Sequence, residues 1–91
     1  MNTMPIPELI VSAICKRNDI KHLKLFGSFA TGTATPSSDI DFVVYGCPDI
    51  MKLEEDLTEI DTLRKIDILE YDSIHNPFLL EDIEKYGKRI Y

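Results

Sequence analysis

GSFATGTATPSSDID, running from Gly27 to Asp41, is the stretch on which the reading of this chain turns. It leaves one apolar run, IKHLKLF (Ile20 to Phe26), and delivers the chain into a second, DIDFVVY (Asp39 to Tyr45). Ile20, Leu23 and Leu25 alternate, imperfectly, with Lys21 and Lys24, which reads as a strand ending at Gly27. The second run is β-branched and apolar beyond its first turn, the composition of a central strand. Between them, Ser28 can cap a short helix to about Ala34 with Gly32 at its end, and Thr35-Pro36-Ser37-Ser38 is turn chemistry.

Outward from that stretch the chain alternates between helix and strand. Upstream, Pro5 and Pro7 open a helix whose apolar residues Leu9, Ile10, Ala13 and Ile14 recur at helical spacing. Arg17-Asn18-Asp19 ends it. Downstream, Gly46-Cys47-Pro48-Asp49 breaks the second strand, and a helix from about Asp49 to Leu63 carries an apolar stripe of Ile50, Leu53, Leu57, Ile60 and Leu63. Glu54, Glu55, Asp56, Glu59 and Asp61 lie mostly off that stripe, as a solvated face would. RKIDILEY (Arg64 to Tyr71) is a third strand with Asp67 at its centre. Asn76-Pro77 is a helix cap followed by proline at the first helical position, and that last helix runs through Tyr86 to Gly87. Lys85, Lys88 and Arg89 suit the negative end of its dipole. The order α-β-α-β-α-β-α predicts an α/β layer fold, with a small sheet covered by helices.

Ninety-one residues are enough for one domain with a single core. A net charge of −6 argues against direct nucleic-acid binding or an anionic membrane surface, both of which need clustered Lys and Arg. No basic region precedes the first apolar run, and none of the runs approaches a membrane span, so a cytoplasmic location is expected. Cys15 and Cys47 form no CxxC unit and read as packing thiols. His22 and His75 have no ligand-spaced neighbours. Phe26, Phe29, Phe42 and Phe78 read as core, and Tyr45, Tyr71, Tyr86 and Tyr91 as core or rim.

The chemistry sits on four positions around the opening stretch. Side chains alternate along a strand, so Asp39 and Asp41 share one face, about 7 Å apart, while Ile40, Phe42 and Val44 anchor the other. Two carboxylates together repel, a cost that a hard cation such as Mg²⁺ relieves. Asp67 lies between Ile66 and Ile68, where an unpaired carboxylate is costly to bury. With the third strand beside the second, it would join the pair, as a ligand or as the group that takes a proton from an attacking hydroxyl. Gly27 lets backbone approach a phosphate, and Ser28 offers a hydroxyl beside it. Cradle, cation and acid are the parts needed for attack on the α-phosphate of a nucleoside triphosphate. Gly27 and Gly32 have P-loop spacing, but Thr33-Ala34 replaces the Lys-Ser/Thr that such a loop requires.

Gly27-Ser28, ten residues, Asp39-x-Asp41 and then Asp67 on a later strand resemble the DNA polymerase β-like nucleotidyltransferases over roughly residues 6–90. The small size is similar to their minimal nucleotidyltransferase branch, antitoxin partners of HEPN-domain toxins, and a single such domain over residues 1–91 is expected. The resemblance implies the family's α/β fold of α+β type, a small mixed sheet flanked by helices. It also implies that Gly27 and Ser28 hold the triphosphate, that Asp39 and Asp41 bind one or two Mg²⁺, and that Asp67 is the third catalytic and metal-binding carboxylate. It implies transfer of AMP from ATP to a tyrosine hydroxyl of a helical HEPN toxin, with the acceptor presented by that other chain. Family members commonly carry a basic residue where this chain has Thr31. Two alternatives remain open beside this one: an antitoxin that neutralises its partner by binding alone, and a transferase for a small molecule. Base preference and oligomeric state are not fixed by the sequence.

Overall fold

The computed structural model describes residues 7–33, 35, 39–60 and 65–91. Pro5, the Pro36-Ser37-Ser38 turn and the segment from Asp61 to Arg64, with Leu63, lie outside the described residues. Helix α1 spans Glu8–Arg17, β1 His22–Phe26, α2 Ser28–Thr31, β2 Ile40–Tyr45 and α3 Ile50–Thr58. There follow β3 at Ile66–Glu70, a 3₁₀ turn at Tyr71–Ser73, α4 at Pro77–Tyr86 and β4 at Lys88–Arg89.

The strands form one mixed sheet in the order β3-β2-β1-β4. β1 is antiparallel to both β2 and β4, and β2 is parallel to β3. The expected mixed sheet with flanking helices is present, with one strand more than the sequence suggested. Lys88 and Arg89, expected to complement the dipole of α4, pair instead with Leu25 and Lys24 of β1. Gly87 makes the exit possible. A Cβ there would lie 2.5 Å from the Ile83 carbonyl oxygen, so only glycine lets the chain turn so close to the helix it leaves.

Alternation along β2 separates two faces. Ile40, Phe42 and Val44 are fully or almost fully buried and join Leu23 and Leu25 of β1 in a core closed by α1 and α3. Leu53 and Leu57 are the buried stripe of α3, each contributing roughly 2 kcal/mol by burial. Asp49 caps that helix by accepting from the Lys52 N–H at 3.2 Å. α1 keeps Ile14 of its expected stripe inside but otherwise departs from it: Val11, Cys15 and Asn18 face inward with Ile14, whereas Leu9, Ile10 and Ala13 are exposed. Both sets have helical spacing, and only packing against the sheet chose between them.

The opposite face carries Asp41, Val43 and Tyr45. At its far end Tyr45 stacks on Tyr71, centroids 4.3 Å apart, and Glu84 of α4 accepts from the Tyr71 hydroxyl and pairs with Lys24. Ile83 of α4 is fully buried, while Phe78 on its first turn is 76% exposed rather than in the core. Asn76 caps α4 as expected, accepting from the Phe78 N–H at 3.0 Å. Both cysteines are free thiols, and burial, then the nearby Cys47 thiol, pushes Cys15 up to about 12. Among the described residues no helix is long and apolar enough to cross a membrane.

Candidate functional site

Register brings the sequence-derived acids to one end of the sheet. In the parallel pair β2–β3, Asp41 stands opposite Asp67, and in the antiparallel pair β1–β2 it stands opposite Phe26. Asp39 precedes β2 by one residue on the same side of the pleat as Asp41. Burial, then the charges of Asp67 and Asp39, raise the Asp41 carboxyl above its ordinary value. Asp41 therefore feels both its near neighbour Asp39 and Asp67, which lies twenty-six residues further along the chain.

Gly27 closes this end of the sheet. Its φ of +73° is left-handed, and a Cβ placed on it would come within 2.5 Å of Asp41 Oδ2. The glycine thus serves a purpose that the sequence reading missed: it makes room for the Asp41 carboxylate. α2 follows at once, with Ala30 and Thr31 N–H groups bonded back to the Gly27 carbonyl at 3.0 and 3.2 Å. Gly32, with φ of +78°, ends it. The Ser28 side chain, expected as a cap and phosphate donor, lies outside what the structure describes. α2 contains no basic residue, and the Thr31 hydroxyl contacts the Gly27 carbonyl at 3.3 Å.

Lys65 is the residue that sequence reasoning passed over. Its carbonyl accepts from the Ile40 N–H at 2.8 Å, extending the β2–β3 ladder back by one step. Its ammonium lies 3.5 Å from Asp67 Oδ1. The signal was available in principle, since Lys65 and Asp67 are two apart on a strand and so share a face.

The donor chemistry of the three aspartates, carboxylate oxygens throughout, suits a hard divalent cation such as Mg²⁺. Among the described residues no three His, Cys, Asp or Glu side chains converge closely enough to hold a metal as they stand. The Asp67 carboxylate is turned to Lys65. What fits the ion is the donor type and the placement of the three acids at one end of the sheet.

The polymerase β nucleotidyltransferase family model matches residues 8–91. The chain belongs to that family. Three relatives from Methanocaldococcus jannaschii, each named "Putative protein adenylyltransferase", are 36%, 37% and 35% identical to this nucleotidyltransferase. Each alignment covers 72% of this chain and 71–72% of the relative. A crystal structure described as a toxin-antitoxin with AMP-PNP shares the fold at a TM-score of 0.74 and 24% identity, covering 94% of this chain and 73% of that one. A crystal structure at 1.40 Å described as "a putative nucleotidyltransferase from Sulfolobus solfataricus" matches at a TM-score of 0.54 and 17% identity, covering 90% of this chain and 73% of that one. At such identities these two speak for the fold alone.

Proposed function

We propose that this nucleotidyltransferase, acting as one domain over residues 1–91, transfers AMP from ATP to a tyrosine hydroxyl of a helical HEPN-type toxin and so serves as the antitoxin of the pair. The observation that carries the proposal is the register of Asp41 against Asp67 beside the Gly27 turn. Relatives named as protein adenylyltransferases and a fold neighbour described as a toxin-antitoxin with AMP-PNP support the choice of nucleotide and of a protein acceptor.

Asp39, Asp41 and Asp67 would hold Mg²⁺, whose chemistry is to neutralise charge on the triphosphate and stabilise the departing pyrophosphate. Gly27 and Ser28 would meet the phosphates through backbone amides. A helix of four residues adds little dipole to that contact, so the amides and neighbouring charges must do the holding. The acceptor oxygen forms a bond to the α-phosphorus while the bridging bond to the β-phosphate breaks. Its proton passes to Asp67, a transfer worth about 10²–10⁴ in rate. The products are the adenylylated hydroxyl and pyrophosphate.

Incubation with α-labelled ATP, Mg²⁺ and the cognate HEPN-type toxin should label that toxin. Asp39→Asn or Asp41→Asn should lower labelling by about 10²–10³, the cost of losing one preorganised electrostatic group. Labelling that survives both substitutions refutes the assignment. Partner silencing without labelling would instead mark an antitoxin that works by covering its target.

A further inference from the structure

We infer that Lys65 is a triphosphate-binding residue of this same site, held in store by Asp67 until the metal–nucleotide complex arrives; the inference rests on the carboxylate reading above. Three observations carry it. First, Ile40 pairs with Ile66 and Asp41 with Asp67, and the Ile40–Lys65 hydrogen bond continues that ladder. Lys65 therefore stands across from Asp39, and Asp39, Asp41, Lys65 and Asp67 form a quartet on one face of two adjacent strands. Second, the Lys65 ammonium is ion-paired to Asp67 at 3.5 Å, with its side chain 71% exposed. Such a pair is weak and reversible in water, and the long stem is free to swing. Third, the turn expected to meet the phosphates is followed by a helix, SFAT, without a basic residue. The quartet carries three negative charges against one positive, and ATP adds about four more.

A divalent cation bound among the carboxylates competes directly with the Lys65 ammonium for Asp67. Once displaced, that ammonium lies at the edge of the site where the β- and γ-phosphates are the strongest remaining anions, and it moves to them. Lys65 thus opposes metal binding in the empty protein and favours nucleotide binding in the loaded one. A lysine that merely trims the charge of an exposed strand would do only the first.

The test separates those signs. In the full chain, Lys65→Met should tighten binding of Mn²⁺ alone about three- to fivefold, as loss of an exposed ion pair permits, and weaken binding of Mg²⁺ with a non-hydrolysable ATP analogue about tenfold. Lys65→Arg should restore the nucleotide affinity. An unchanged melting temperature would show that the Met variant folds normally. Nucleotide affinity unaltered in Lys65→Met, or Mn²⁺ binding weakened by it, overturns the inference while leaving the carboxylate site standing. If the unsubstituted protein binds neither Mn²⁺ nor the analogue, the underlying reading fails and this one with it.

Discussion

Single residues at this site are placed against their own comfort. Asp41 is half-buried between two other carboxylates, and its raised carboxyl means that ionising it costs the folded protein. The cost is absent below the ordinary carboxylate value, grows as pH rises through the raised one, and is fully present at neutrality. Asp41→Asn should therefore stabilise the nucleotide-free protein at pH 7 by about 0.5–1 kcal/mol, in the manner of sites that trade stability for activity. Denaturant unfolding at pH 7 and below pH 4 measures it. A gain that persists at the acid end would point to some cause other than charge. Gly27 has the reverse character. Gly27→Ala meets both a left-handed φ and the Asp41 carboxylate, and should cost about 1–3 kcal/mol. In an Asp41→Ala background only the φ penalty remains, so the two substitutions should be clearly non-additive. The identity of all three acids could be read directly from the chain. The close approach of Gly27 to Asp41 could not, because nothing in the order of residues says which side chain faces a turn.

At the scale of elements, the sheet is positioned by how α1 and α3 grip its inner face. Asn18, only 6% exposed at the end of α1, donates to the Ile14 carbonyl and to Asp56 of α3, both at 2.8 Å. That amide, with Arg17 beside it, holds the Asp56 carboxyl below its ordinary value. Stability from this contact is present above the ordinary carboxylate range and is lost as pH falls through the lowered value. Asn18→Ala should cost about 1 kcal/mol at pH 7 and less in acid, checked by thermal melts across pH. An equal cost at every pH would assign the loss to packing. Sequence periodicity located both helices, but in α1 it selected Leu9, Ile10 and Ala13 along with Ile14, and of these the fold buries only Ile14, together with Val11 and Cys15. Two helical stripes one or two residues apart score alike when both are apolar. β4 escaped for a different reason: Lys88 and Arg89 carry no strand pattern, and their pairing is supplied by the free edge of β1.

For the whole molecule, a parallel pair between β2 and β3, with α3 as the crossover, is what brings separate acids to one end of the sheet. Parallel neighbours begin at the same end of a sheet, so residues near the start of each strand stand side by side, as Asp41 and Asp67 do. Mg²⁺ with a non-hydrolysable ATP analogue at a hundred times its dissociation constant should then stabilise the fold by about 2.7 kcal/mol. The melting temperature should rise by roughly ten degrees or more for a domain of this size. Asp39→Asn should remove most of that rise. Equal shifts in both proteins would place the nucleotide elsewhere.

The residues alone determined the alternation of helix and strand, the acids, the glycine turn and the kind of chemistry they suit, because propensity, periodicity and functional-group identity are local properties. Tertiary structure alone decided that Asp41 faces Asp67, that Lys65 completes their group, and that Leu9 stays in water. Those outcomes depend on strand register and helix rotation, which are set by contacts between segments distant in the chain.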